Sequence, residues 1–287
     1  MVAIFKKELR SYFVTMTAYV YLGIFVLLMG VFFMLTNISG HNPYFAASLG
    51  IMQIMFLVLV PTLTMRLFSE ETRQRTDQLL FTSPLKISDV VLGKFAAAAA
   101  LYAISLLLIL VFPYLLSSHT EVDVSALTAV MFGFFLLGAS FIVVGLFVSS
   151  LTDNQIIAAV ATFAAILLFF IMDALVFSMP DGRIFSGLFI GIIILVIAFY
   201  IYISAKNIWA ALVFCGASGA IAVAARFINP NLYDGVMASV LSWLNLLQRF
   251  HSFSVGVLRL SDAVYYLTFI GVFLFLTVHV IERRRWK

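Results

Sequence analysis

The residues able to do chemistry are few in a chain with 64% hydrophobic and 10% charged side chains, and most fall in one run. Arg66 to Lys94 reads RLFSEETRQRTDQLLFTSPLKISDVVLGK, with five basic residues (Arg66, Arg73, Arg75, Lys86, Lys94) and four acids (Glu70, Glu71, Asp77, Asp89). Glu70 and Glu71 stand where acids favour the start of a helix. The i,i+4 spacing of Glu71 and Arg75 and the i,i+3 spacing of Glu70 and Arg73 predict ion pairs along that helix. Leu80 extends its apolar side. Thr82-Ser83-Pro84 breaks it, because proline lacks an N–H and restricts the residue before it. Leu85 and Ile87 then form an apolar tip among polar neighbours, and Ser88 is placed to cap a second helix with Asp89 in its first turn. This pattern suits docking rather than catalysis. An apolar tip with a polar rim of Arg73, Arg75 and Asp77 is a surface that a protein partner can grip.

Other candidates are isolated. Gln53 lies in an apolar run, and Asp173 is the one acid inside such a run. Both are candidates for the polar lining of a pathway; for Asp173 an interfacial carboxylate is the alternative. An aspartate at a bilayer centre costs about 2.5–3.5 kcal/mol, less near the interface. His41 has no second ligand at i+4, and Cys215 is the only cysteine, so neither a metal site nor an intrachain disulfide is expected. No phosphate-binding loop occurs: Gly93-Lys94 has Ser88 where the first glycine should stand and Phe95 after the lysine. Zinc-protease, nucleophile-elbow and dinucleotide patterns are missing as well. An enzyme is therefore not expected, no cofactor is expected in this chain, and any ATP hydrolysis must come from a partner.

The elements that must carry these residues are membrane helices. Mean hydropathy is +1.14 over 287 residues. A spanning helix needs about 20 apolar residues, and eight runs qualify: Ala18–Leu35, Ala46–Met65, Phe95–Leu116, Ala126–Ser149, Ile156–Phe177, Ile184–Ile203, Ile208–Phe227 and Ala263–Ile281. Backbone groups in lipid must be satisfied within the segment, and strand alternation is lacking, so an all-α polytopic membrane protein with six to eight spans is predicted. Residues 184–227 form two spans or a re-entrant hairpin. With the N-terminus in the cytoplasm, 13 of the 17 basic residues fall inside and 4 outside, which favours cytoplasmic termini at both ends. Residues 1–16 read as an interfacial helix, with Val2, Phe5, Leu9 and Tyr12 on an apolar stripe and Lys6, Lys7 and Arg10 opposite. Pro61 is expected to bend the second span. Gly133, Gly138 and Gly145 point to close helix packing. In the outer stretch 229–262, Leu246, Phe250, Phe253 and Val257 mark an amphipathic helix.

Three stretches resemble known proteins. Glu70-Glu71, Thr76-Asp77-Gln78-Leu79-Leu80, Thr82-Ser83-Pro84 and Val91-Leu92-Gly93-Lys94 resemble the first inner loop of ABC-2-type permeases, and Ser149 to Gln155 resembles their second. Arg249-Phe250, Phe253, Gly256, Asp262, Tyr265-Tyr266 and Arg284-Arg285-Trp286 resemble the gliding-motility-associated branch of that family. Arg75 departs from the pattern, standing where many relatives carry glycine. The resemblance implies one permease domain over 1–287 in a bacterial cytoplasmic membrane. It implies an exporter in which this chain pairs with a second copy or a paralogue and with two copies of a cytosolic ATPase that bind ATP and Mg. The 66–94 loop would carry the coupling helices, so that Glu70, Glu71, Arg73, Arg75, Asp77, Leu80, Pro84, Leu85 and Ile87 would contact the ATPase. Membrane lipid and an extracytoplasmic auxiliary protein complete the expected partners; nucleic acid is not among them. An ion-coupled carrier and a membrane assembly protein without transport activity are the alternatives.

Overall fold

The computed structural model describes residues 1–74, 86–117, 123–178 and 245–285, with isolated positions at 191, 194, 214, 216, 218, 242 and 243. Among these residues the protein is helical and contains no strand. Six helices among the described residues are long and apolar enough to cross a membrane: Thr17–Ser39, Ala46–Arg73, Ile87–Ser117, Val124–Leu151, Gln155–Leu175 and Leu260–Arg283. They coincide with six of the eight runs expected from sequence. The runs at 184–203 and 208–227 lie almost wholly outside the described residues. The chain divides into two compact units, Met1–Phe169 with Leu246–Lys287, and Phe170–Asn245.

In the first unit α1 covers Val2–Val14 and α2 Thr17–Phe33, the latter running on into a π-helical turn at Met34–Ser39. The second span is interrupted: α3 (Ala46–Met52), a 3₁₀ turn (Gln53–Met55), α4 (Phe56–Thr64), then α5 (Ser69–Arg73). The third span is α6 (Ile87–Ile109) followed by α7 (Val111–Ser117). Its break has a local cause. Pro113 has no N–H for the carbonyl four residues back, which is that of Ile109, the last residue of α6. The 28-residue α8 (Val124–Leu151) follows, then α9 (Gln155–Ser178), α10 (Leu246–Ser254) and α11 (Leu260–Arg285).

The unit is organised around α8, the most deeply buried span, which packs on α4, α6, α10 and α11. Its three glycines face three different neighbours. A Cβ at Gly133 would overlap Phe253 of α10, one at Gly138 the Tyr102 ring of α6, and one at Gly145 the Thr64 side chain of α4. Lipid supplies little hydrophobic force between helices, so such close approach is where membrane packing gains its contacts. Tyr102 fills the centre, its hydroxyl donating to the Phe134 carbonyl at 2.7 Å. Phe25 and Phe56 lie edge-on to its ring and Phe135 stacks on it.

Candidate functional site

The charged residues that the sequence scatters over α1, α5 and α6 meet at one place. Lys94, assigned by sequence to the polar loop, is instead two turns inside α6 and 1% exposed. Its ammonium lies 3.0 Å from Glu8 Oε1 and 2.9 Å from Glu71 Oε1. The Phe68 ring covers it, with Nζ 5.2 Å from the centroid. Lys7 reaches the same Glu71 carboxylate at 3.6 Å and Glu8 at 3.9 Å. A cation buried this deeply persists because two carboxylates and an aromatic face replace its water.

Helix α1 is held against α6 by shape as well as charge. Ile4 rests on Gly93, where a Cβ would come within 2.9 Å of its Cγ2. Tyr12 donates its hydroxyl to the Leu63 carbonyl at 3.0 Å. Burial and then the Glu8 carboxylate push the Tyr12 phenol far above its ordinary range, keeping it a neutral donor. The face of α1 turned to the protein is thus Ile4, Glu8 and Tyr12, spaced i,i+4. The expected stripe of Val2, Phe5 and Leu9 lies beside it, and Val2 is exposed. That stripe is free for lipid, with Lys6 and Arg10 farther round the helix.

The start of α5 is fixed from α8. Ser149 Oγ accepts from the backbone N–H groups of Phe68 (3.2 Å) and Ser69 (3.3 Å) and donates to the Met65 carbonyl (3.3 Å). A helix N-terminus leaves N–H groups without intrahelical partners, and a serine from a distant segment here takes the role of the cap. Asn154 accepts from Ile156 N–H at 2.9 Å and so caps α9 in the ordinary way. A cleft of about 550 Å³ opens between α1 and α5, with the Lys94 cluster and Tyr12 in its wall and Arg66 and Glu70 at its side.

Several expected details are corrected. Glu71 reaches Lys94 and Lys7, and its expected partner Arg75 lies outside the described residues. Glu70 accepts from Gln74 at 3.3 Å and forms no ion pair with Arg73, which is exposed. The Glu70 difference arises because α5 is one short turn, Ser69–Arg73, whose orientation is set by Lys94 and Ser149 rather than by its own charges. Ser88 does not cap: α6 begins at Ile87 with Lys86 before it, and no side chain closes that end. Ile87 is the first residue of that helix and half-buried. Asp89 does fall in the first turn. Asp77, Leu80, Pro84 and Leu85 lie outside the described residues.

The other two polar candidates are separate. Gln53 is half-buried in the 3₁₀ turn of the second span. Within the second unit, half-buried Asp173 accepts from Asn245 Nδ2 at 2.7 Å. Asn245 is fully buried, and nothing in its local sequence distinguished it.

At the opposite end of α8 the residues of the third resemblance between Arg249 and Tyr266 form a second cluster, whereas Arg284 and Arg285 end α11 and Trp286 lies outside the described residues. Arg249 donates to Asp262 at 2.9 Å and stacks on Tyr265, 4.4 Å from the ring centroid. Tyr266 donates to the Leu246 carbonyl at 2.6 Å. Phe253 sits on Gly133, and Phe250 packs edge-on to Phe134. Gly256 has φ +83°, and bonds from Gly256 N–H to Phe253 O and from Val257 N–H to Ser252 O end α10 in a Schellman turn. Val257, expected on the amphipathic stripe, therefore lies beyond the helix and is exposed. No three histidine, cysteine or acidic residues come together as a metal site among the described residues. No family model matches the chain, and no curated protein matches it.

Proposed function

We propose that this chain is the membrane-spanning permease subunit of an ATP-binding cassette exporter, driven by a separate cytosolic ATPase that docks on the 66–94 segment. The observation that carries this reading is the mounting of α5. Immediately before residues 75–85, the chain is tied to α6 through Lys94, to α1 through Glu8 and to α8 through Ser149. A partner pressing on the segment that follows would move three helices together. The lack of a phosphate-binding loop assigns hydrolysis to that partner. The basic-residue count supports an orientation with the α1 end in the cytoplasm, and the resemblance implies a bacterial membrane.

The test is co-purification in detergent. A polypeptide with a G-x-x-x-x-G-K-[ST] loop that hydrolyses ATP should accompany the chain at fixed stoichiometry. Leu85→Asp should release it with a loss of roughly thirty-fold or more in affinity, since truncating an anchor costs about 2 kcal/mol and a charge adds to that. Arg73→Ala should weaken it slightly, and more at low salt. In whole cells carrying Cys215→Ala, a cysteine at Ser118 should react with an impermeant reagent and one at Ser83 should not. Retention of the ATPase by the Leu85→Asp chain removes the docking assignment, and ion-gradient-driven uptake by the chain alone replaces the exporter with a secondary carrier.

A further inference from the structure

We infer that the cleft between α1 and α5 binds the headgroup of an aminophospholipid, a phosphodiester bearing a primary ammonium. The inference does not depend on the exporter reading.

The charges around the cleft are balanced in number but not in use. Lys7, Arg66 and Lys94 face Glu8, Glu70 and Glu71. Lys94 is spent on Glu8 and Glu71, and Lys7 leans on the same two acids. Arg66 and Glu70 remain. Arg66 makes no ion pair among the described residues, and Glu70 has only the neutral amide of Gln74 at 3.3 Å. One unpaired guanidinium and one unpaired carboxylate on a single wall match a zwitterion. Arginine presents a donor fork to phosphate oxygens, and a carboxylate accepts from ammonium hydrogens.

The setting selects a lipid as the source. Ser11, Thr15 and Thr17, which carry hydroxyls, also line the cleft. Val14 and Met16, 76% and 81% exposed, alternate with them. With α2 long and apolar enough to cross a membrane, apolar side chains that bare next to it fit the edge of the hydrocarbon. A headgroup in the cleft would leave its acyl chains against this edge. The volume of about 550 Å³ lies within the range of small-molecule sites, roughly 300–1,000 Å³.

The same chemistry sets a ranking. Trimethylammonium has no hydrogen to give Glu70 and would need an aromatic cage. The one aromatic residue in the lining, Tyr12, directs its hydroxyl to Leu63. An anionic glycerol headgroup leaves Glu70 without a counter-charge.

The test uses the full chain, stripped of lipid in detergent and titrated with phosphatidylethanolamine, phosphatidylcholine or phosphatidylglycerol of identical acyl chains. Bound lipid is counted by native mass spectrometry. The ethanolamine lipid should bind about tenfold more tightly than either competitor. Glu70→Gln should abolish the preference over choline. Arg66→Gln should weaken both zwitterionic lipids about tenfold. Lys6→Gln, which removes a cation outside the cleft, should change neither. Equal binding of the three lipids by the wild-type chain overturns the inference, as does a preference that survives Glu70→Gln. Displacement of the lipid by an equal concentration of soluble glycerophosphoethanolamine would mean that the site takes the free phosphodiester head rather than a lipid, and also overturns it.

Discussion

The two ends of α8 are locked by different means. At the α1 end one buried cation holds two acids from different helices, Glu8 and Glu71, and a serine from α8 caps α5. At the α10 end one arginine holds one acid, Asp262, and stacks on Tyr265, while aromatic rings and a glycine turn carry the rest. The first lock ties elements far apart in the chain, with 86 positions between Lys94 and Glu8. The second closes a hairpin, with 13 positions between Arg249 and Asp262 and 20 between Tyr266 and Leu246. A lock among distant elements couples their motions, whereas a lock within a hairpin makes one stiff piece. The difference suits an end that receives a push and an end that holds its shape.

The largest effect should come from Lys94. Lys94→Met leaves Glu8 and Glu71, 14% and 17% exposed, without their buried cation, with the exposed Lys7 staying 3.9 and 3.6 Å away. Removing one partner from a buried ionic group costs about 3–5 kcal/mol. The unfolding midpoint in detergent should fall sharply, and hydrogen exchange should rise over Val2–Val14 before it rises in α8. Glu8→Gln alone should cost less, because Lys94 keeps Glu71. If the acid and lysine substitutions cost the same, Lys94 serves one partner and the contrast between the ends is lost.

At the α10 end the order should be flatter. Asp262→Asn removes a charge from a pair whose side chains are 7% and 22% exposed, yet Arg249 keeps the Tyr265 ring. A charge-assisted hydrogen bond contributes about 1.5–3 kcal/mol. Asp262→Asn and Arg249→Met should each lower the midpoint by an amount in that range, with exchange rising over Leu246–Ser254 only. A loss exceeding that of Lys94→Met would reverse the comparison.

Which lock could be read from sequence follows from the same separations. The α10 cluster was legible in part because its members lie within one hairpin, where the spacing of Leu246, Phe250 and Phe253 marks the helix; Arg249 and Asp262 entered only as residues of the resemblance, without their pairing. Even there Val257 misled, since periodicity does not register that Gly256 stops the helix. The α1 end was legible only as elements. Its amphipathic helix was plain, but Glu8 in a basic segment reads as a solvated acid, and Lys94 beside a glycine reads as loop. Local charge rules paired Glu71 with Arg75 and Glu70 with Arg73 because these are the neighbours a helix surface offers. The tertiary partner of Glu71 comes from a different span, and burial makes that contact stronger than a surface pair. Asn245 was missed for a related reason: its role rests on Asp173, 72 residues away.

The smallest effect isolates a helix end that belongs to neither lock. Asp123 precedes α8 and accepts from Ser125 N–H at 2.8 Å, Ser125 Oγ at 2.7 Å and Ala126 N–H at 3.4 Å. The Ser125 hydroxyl, then the two backbone donors, hold its carboxyl below the usual carboxylate range. A carboxyl whose folded pKa is depressed stabilises the fold above its unfolded pKa and loses that contribution as pH falls through the folded value. The cap should therefore be constant from neutrality down to about pH 5 and weaken below about pH 4. Asp123 is fully exposed, so the change should be confined to fraying of the first turn, Val124 to Leu127. Hydrogen exchange at Ser125 and Ala126 should speed up on acidification in the wild type. It should already be fast, and independent of pH beyond the intrinsic chemical rate, in Asp123→Ala. Exchange elsewhere in α8 should not follow, because Gly133, Gly138 and Gly145 hold the helix by packing that does not titrate. Acid-induced loosening that reached Gly133 would join this end of α8 to the α10 lock and leave only one cooperative end to set against α1.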